Sequence, residues 1–469
     1  MSIRKAIILT VYIIALGLSG IFLSSCTGKL SGDDLIVFTK LALDNFDTPK
    51  DDIIHKFREA QIVMLNTDKP EGSENVLTSD FYSACSPDIS YDGSRILFTA
   101  QQNENDSWQV WEMNLKTGKS TQKTDFSESC FGPAYLPGDR MVFSKQLADV
   151  GTGSAMALYT MNLDGTKIQQ ISFQPHLDYT STILRDGRIL MLTKQIFPSQ
   201  GEMMYLAMRP NGTKAELFYR GDNMGKLNHQ VHETEEGQVF FTERADGDDS
   251  KIDIISVHQN RPLFSKINHT AELAGSFYSV LPESDGRIIV SYRASNEESI
   301  GLYYFSPGDK SLLKLYNPPG YHLLESRKVE AYQRPRNLPD EVDPKITTGQ
   351  LLCQDINVIS PQADSLNQVI AHASKVEVLG IDESMGIVSV EEDGSFYLKI
   401  IADTPFRLQT LDDSNNVVQG PSGWIWVRPF ERRGCVGCHE DPELTPENLV
   451  PLSVKKAPIS IPIEVSQSP

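Results

Sequence analysis

Short apolar runs separated by turn residues dominate the chain, and five of them open in the same way: a turn glycine, a polar or basic residue, then a strand-like run. The copies are Asp92-Gly93-Ser94-Arg95-Ile96-Leu97-Phe98, Pro137-Gly138-Asp139-Arg140-Met141-Val142-Phe143, Asp186-Gly187-Arg188-Ile189-Leu190, Glu236-Gly237-Gln238-Val239-Phe240-Phe241 and Asp285-Gly286-Arg287-Ile288-Ile289-Val290. Successive glycines fall about 45 to 50 residues apart, the spacing of propeller blades rather than of helical repeats. Asp-Gly supplies the positive φ that a tight hairpin turn demands. A further strand and turn follow in most copies, as in Trp108 to Asn114 before Lys116-Thr117-Gly118, Leu158 to Asn162 before Asp164-Gly165, and Leu302 to Phe305 before Pro307-Gly308. Four short strands per unit make a blade. The early strands around Val37 and Val63, with one near Val329, are predicted to form a sixth blade that closes the ring and leaves no open edge. The stretch from Lys50 to Gln61 reads as a short helix.

The period breaks at Arg334-Pro335-Arg336-Asn337-Leu338-Pro339-Asp340, a linker rich in proline and charge. Beyond it, Val376–Gly380, Ile387–Val390, Phe396–Ile400, Phe406–Leu411 and Trp424–Val427 alternate with Asp/Asn/Gly turns and predict a small antiparallel sandwich. The proline-rich tail is expected to be extended, apart from a helical turn at Thr445. The repeats resemble the Trp-Asp-40-like (WD40-like) blades of exported propellers of the TolB type, in which the strand aromatics pack the core.

Composition narrows the function. The 469 residues carry a net charge of −19, which argues against nucleic acid and against a basic membrane-docking face. Arg4 and Lys5 precede an apolar run from Ala6 to Leu23, the pattern of an export signal peptide. The run ends in Leu23-Ser24-Ser25-Cys26, similar to a bacterial lipobox, so Cys26 is expected to be diacylated. That places the body on the periplasmic side of the envelope, anchored to a membrane by lipid on Cys26. The absence of aspartate after Cys26 favours the outer over the inner membrane.

The strongest chemical signal is Arg433-Gly434-Cys435-Val436-Gly437-Cys438-His439-Glu440. Cys-x-x-Cys-His (CxxCH) sets two thiols on one turn for the two vinyl groups of a haem and follows them with an imidazole for the iron. The predicted cofactor is one covalent c-type haem, held by Cys435, Cys438 and His439. The competing reading is a structural zinc held by Cys435, Cys438, His439 and Cys353, since Cys85, Cys130 and Cys353 are left over in an oxidising compartment. A redox disulfide in the motif is a third. Candidate sixth iron ligands are Met385 and His372, and Trp424 and Trp426 are candidates to shield a haem face or to fill the sandwich core. No hydrolase, zincin or phosphate-loop motif occurs.

The predicted class is therefore all-β. A signal peptide spans residues 1–25, a roughly six-bladed β-propeller 26–333, a linker 334–349, and a small β-sandwich haem domain 350–469 carries the CxxCH motif. This order of parts, with Val390-Glu391-Glu392-Asp393-Gly394-Ser395-Phe396, Ala402-Asp403-Thr404-Pro405 and the closing motif, resembles the hydrazine synthase alpha-subunit family. The resemblance implies thioether links at Cys435 and Cys438. In that family the middle-domain haem belongs to a site joining nitric oxide and ammonium, a tyrosine after the motif ligates the iron, and the motif histidine can turn to zinc. No tyrosine follows Cys438 here and no second haem motif occurs. The expectation is thus a haem protein with His439 on the iron, engaged in electron transfer with a redox partner protein or in small-ligand redox chemistry rather than in hydrazine synthesis. The alternative is a non-catalytic binding propeller with a structural zinc.

Overall fold

The computed structural model describes residues 34–46, 57–148, 155–198, 201, 203–221, 226–244, 251–358, 372–435 and 449–463. The export segment with Cys26, most of the helix expected at Lys50–Gln61, the motif residues Cys438 and His439, and Thr445 lie outside them. The described end of that helix, Phe57 to Ala60, is a bend rather than helix.

Blades occupy 83–122, 130–170, 176–220, 226–268 and 276–316, and a further blade joins strand Tyr321–Lys328 to Leu35–Ala42, Gln61–Asn66 and Asn75–Val76. In that last blade Leu35–Ala42 pairs antiparallel with both Gln61–Asn66 and Tyr321–Lys328, so the two ends of the propeller are sewn together in one sheet. The blades over 130–170 and 176–220 are merged by a parallel bridge between Met156 and Leu177.

A hydroxyl closes the outer strand of four blades. Thr78, Thr124, Ser172 and Thr270 accept the N–H groups of Ile62, Val110, Leu158 and Ile254 at 2.8–2.9 Å, pairing a backbone donor that the short fourth strand does not reach.

The innermost strands carry a second recurrent device. In five blades their register shifts near the middle, and in the blade over 226–268 the inner strand is split between Leu227 and His232. Such bulges turn side chains inward. Glu325, at φ 61°, is aimed across the centre and is almost wholly buried. Its carboxylate accepts the Thr39 hydroxyl at 2.6 Å and the Ser86 N–H at 2.6 Å, and lies 3.4 Å from His229 Nε2. The Tyr179 ring packs on His229 with centroids 4.6 Å apart, and its hydroxyl lies 3.3 Å from Ser86 Oγ. Three blades thereby meet at one carboxylate, and Tyr179 ties in a fourth through His229 and Ser86. Burial pushes the Glu325 carboxyl up, but His229, Thr39 and Ser86 outweigh it and hold it below the ordinary carboxylate range.

The linker crosses the face of the propeller instead of leaving it. Tyr332 N–H donates to Tyr91 O at 3.0 Å and Tyr332 Oη to Ile89 O at 2.8 Å; Arg336 N–H reaches Arg185 O at 3.1 Å. Asn211 Nδ2 donates to Asp340 at 2.9 Å, and Arg209 pairs with Glu341 at 2.5 Å. A Cβ on Gly187 would lie 2.1 Å from Arg336 O, so this repeat glycine serves both its turn and the passage of the linker.

The second domain packs two four-stranded sheets face to face. Thr348–Cys353, Phe396–Ile401, Arg432–Gly434 and Ile459–Ile461 form one; Lys375–Leu379, Ser384–Ser389, Arg407–Leu411 and Val417–Gln419 form the other. Between them lie Leu351, Val376, Val378, Phe396, Leu398, Ile400, Phe406 and Val427. Two expectations are corrected. The sheets are not wholly antiparallel, because Arg432–Gly434 and Ile459–Ile461 add in parallel. The tail is a short 3₁₀ turn at Leu452–Lys455 followed by that edge strand, since the sheet offers it unpaired backbone groups.

Trp424–Val427 is not a strand: it makes a single bridge, Phe406 to Ile425. It is a wedge with two buried sides. Ile425 and Val427 face the sandwich core. Trp426 packs among Leu136, Val142, Ile171, Met191 and Met208 of the propeller and donates its indole N–H to Gly212 O at 3.2 Å. Trp424 donates to Phe197 O at 2.8 Å.

Two predictions follow from these contacts. Glu325→Gln is expected to cost roughly 2–4 kcal/mol of propeller stability. Because the folded carboxyl is held below its unfolded value, its contribution is present above about pH 4.3 and fades as pH falls. Thermal unfolding of the wild type between pH 6 and pH 3 is therefore expected to drop more steeply than that of the variant. Trp426→Ala is expected to cost roughly 3–5 kcal/mol at the interface and to open the 334–349 linker to limited proteolysis, while the isolated propeller stays resistant.

Candidate functional site at the sandwich end

The chain into the motif is clamped residue by residue. Arg428 is 2% exposed. Its Nε donates to Asn211 O at 2.9 Å, its Nη1 to Asp403 at 2.7 Å, and its guanidinium lies 4.8 Å from the Phe173 ring centre. Burial lowers its pKa, offset by Asp403, so the ion pair keeps a charge that the site would otherwise expel. A Cβ on Gly212 would lie 2.2 Å from Ile171 O and 3.1 Å from Arg428 Cδ, so only glycine lets the guanidinium stem in. Glu431, also buried, takes the N–H of Arg428 on one oxygen and that of Lys214 on the other, both at 2.7 Å. Arg433 donates to Trp426 O at 2.9 Å and, across the interface, to Ala215 O.

Thus Arg428, Glu431 and Arg433 bind propeller backbone, while Arg432–Gly434 pairs in parallel with Thr348–Cys353. Sequence reasoning passed over these three, though the even-numbered series Trp424, Trp426, Arg428 is a period-2 signal for a face directed at a second surface. The same series corrects the shielding role considered for the tryptophans. Both are committed to the propeller, Trp424 also stacking near Phe197 and lying under the Arg407 guanidinium at 4.7 Å.

Cys435 comes next. Its N–H donates to Leu352 O at 2.7 Å, and its half-buried side chain packs against the sandwich core. One motif cysteine is therefore fixed at the end of a sheet whose other side is locked to the propeller. Cys353 is 5% exposed and ends the neighbouring strand. Cys85 and Cys130 are buried in separate clusters of the propeller and do not approach the motif. Burial pushes both thiols up, Cys130 to about 12, which makes them poor ligands and nucleophiles.

The two candidate axial residues separate by register. Asn357, four residues past Cys353, accepts the Ala373 N–H at 2.9 Å and donates to Ala373 O at 3.1 Å, so exposed His372 stands at the Cys435 end of the sandwich. Met385 follows Ser384, the partner of Leu379, at the far end of the strand pair and packs over Gly380. Four strand steps, roughly 13 Å, separate the two ends. Among the described residues no group of three or more His, Cys, Asp or Glu side chains is gathered as a metal site. The donor set of the motif, two thiols and an imidazole in sequence, suits a c-type haem, and the one described member is anchored and partly exposed as such an attachment requires.

Comparison with known proteins bears on this same region. Residues 352–440 match the family model for the hydrazine synthase alpha subunit middle domain. The hydrazine synthase subunit alpha of Kuenenia stuttgartiensis is 21% identical across 86% of this chain, which spans 65% of that protein's length. The solved Kuenenia stuttgartiensis hydrazine synthase superposes with a TM-score of 0.75 at 18% identity, over 90% of this chain and 71% of that one, and so shares its fold. TolB from Acinetobacter baumannii aligns over 64% of the chain and 67% of its own at a TM-score of 0.44 and 13% identity. On these matches the chain, a propeller joined to a sandwich that carries a CxxCH motif, is similar to the hydrazine synthase alpha subunit, with the family-model match confined to its middle domain.

Proposed function

We propose that this protein is an exported lipoprotein carrying one covalent c-type haem on Cys435 and Cys438, with His439 toward the iron, and that it passes electrons to a partner protein or binds a small redox-active ligand. What carries the reading is the placement of Cys435. The matched middle domain runs through the motif, and its first thiol sits at a strand end that the propeller braces through Trp426, Arg428 and Arg433. When bound, the haem would supply one-electron redox chemistry and an iron coordination position. The chain's own residues do the rest. The Arg428–Glu431 clamp fixes the approach of the motif, the sandwich core keeps water from one side of Cys435, and His372 stands at the same end as a sixth ligand. The lipid anchor on Cys26 and the side of the envelope belong to the same proposal.

A second reading has one observation in its favour. Cys353 ends the strand beside Cys435, so a zinc site of Cys353, Cys435, Cys438 and His439 would have two ligands on adjacent strands.

Purified mature protein separates the two. A Soret band that survives denaturation, with haem stain lost in the Cys435→Ala/Cys438→Ala double variant, is the expected result; a colourless protein with one zinc per chain supports the second reading. In the haem-loaded protein, Met385→Leu is expected to leave the oxidised and reduced absorption spectra unchanged. His372→Ala is expected to shift them toward a high-spin form.

A further inference from the structure

Cys85, Cys130 and Cys353 lie outside the motif, and register assigns one of them a partner. Gln350, Leu351 and Leu352 stand opposite Arg432, Arg433 and Gly434 in a parallel pair. The next bond, Cys435 N–H to Leu352 O at 2.7 Å, is the one a parallel ladder makes when Cys435 is opposite Cys353. Side chains of register partners leave the sheet on the same side, and both sulfur-bearing side chains contact the same apolar cluster. Neighbouring strands run about 4.8 Å apart, inside the roughly 4.4–6.8 Å Cα separation that a disulfide spans. Both residues are thiols here.

We propose that Cys353 and Cys435 are a modification site: in the haem-free chain they form an intrachain disulfide that occupies one of the two attachment sulfurs. Two S–H bonds break and one S–S bond forms; the two protons and two electrons pass to a disulfide-bearing exchange partner of the thiol oxidase class, which leaves as a dithiol. A dithiol reductant reverses the step by attacking the partly exposed Cys435 sulfur, which releases the Cys353 thiol, and its second thiol then displaces Cys435 and leaves the reductant as a disulfide. The freed Cys435 thiol is then able to add across a vinyl group, an addition that needs no oxidant. This second consequence rests on the haem reading, whereas the disulfide itself does not. Cys353 thus sets whether the site is open to its cofactor, and reduction becomes a requirement of maturation.

The test uses the full chain exported without haem maturation, alkylated and digested without reductant. A Cys353–Cys435 linked peptide is expected, retained in Cys438→Ser and lost in Cys353→Ser and Cys353→Ala, with thermal unfolding confirming that each variant folds. With maturation restored, haem per chain is expected to depend on added reductant in the wild type and to lose that dependence in Cys353→Ala. Free alkylation of both Cys353 and Cys435 in the oxidised wild type would overturn the proposal, as would a Cys435–Cys438 link in its place or thiols that alkylate only after zinc is chelated. A linked peptide in a chain that never takes up haem would leave the disulfide standing and refute the haem reading instead.

Discussion

The segment from Trp424 to Arg428 is buried on two sides at once, and the remainder of the functional architecture depends on that. Trp426 enters the seam between two propeller blades, Trp424 and Arg428 bind propeller backbone beside it, and Ile425 and Val427 face the sandwich core. Neither domain alone could bury both faces, and a segment that loses one face loses most of its hydrophobic stabilisation. The Arg428–Asp403 pair and the Glu431 carboxylate then satisfy the polar groups trapped in the seam, which at low local dielectric is worth more than the same contacts on a surface. The result is a motif cysteine mounted on a joint rather than on a flexible tail.

The propeller takes a supporting part in this account. Its centre is closed by the carboxylate network around Glu325, and the strap formed by Tyr332 to Arg336 binds the turns of one face. Arg327 contacts His232 within the same centre, and burial holds that histidine well below its ordinary range, so it acts as a neutral acceptor. These groups are engaged with one another. At the motif end of the sandwich Cys353 ends the strand beside Cys435, and His372 stands at the same end.

Legibility in the sequence followed the physics of each element. The blades were readable because a tight hairpin needs positive φ and a buried strand needs a run of apolar residues, and both leave marks at a fixed period; the ring closure near Val37, Val63 and the strand ending at Lys328 was readable for the same reason. Lys375–Leu379 and Phe396–Ile401 were legible from alternation. Arg432–Gly434 was not, because it enters its sheet through backbone bonds with charged and glycine side chains. Trp424–Val427 imitated a strand because two-sided burial also has period 2. The candidate site was half visible: the motif announced its chemistry, while the neighbourhood of Cys353 and Cys435 exists only through a register between residues far apart in the chain.

The most direct measurement is the mass of the proteolytic peptide that contains Cys435 and Cys438, taken from protein matured in its own compartment. The account predicts a peptide heavier by one haem, attached at both sulfurs, with its iron reducible. A peptide of unmodified mass, in protein that has met the haem-attachment machinery, would contradict it.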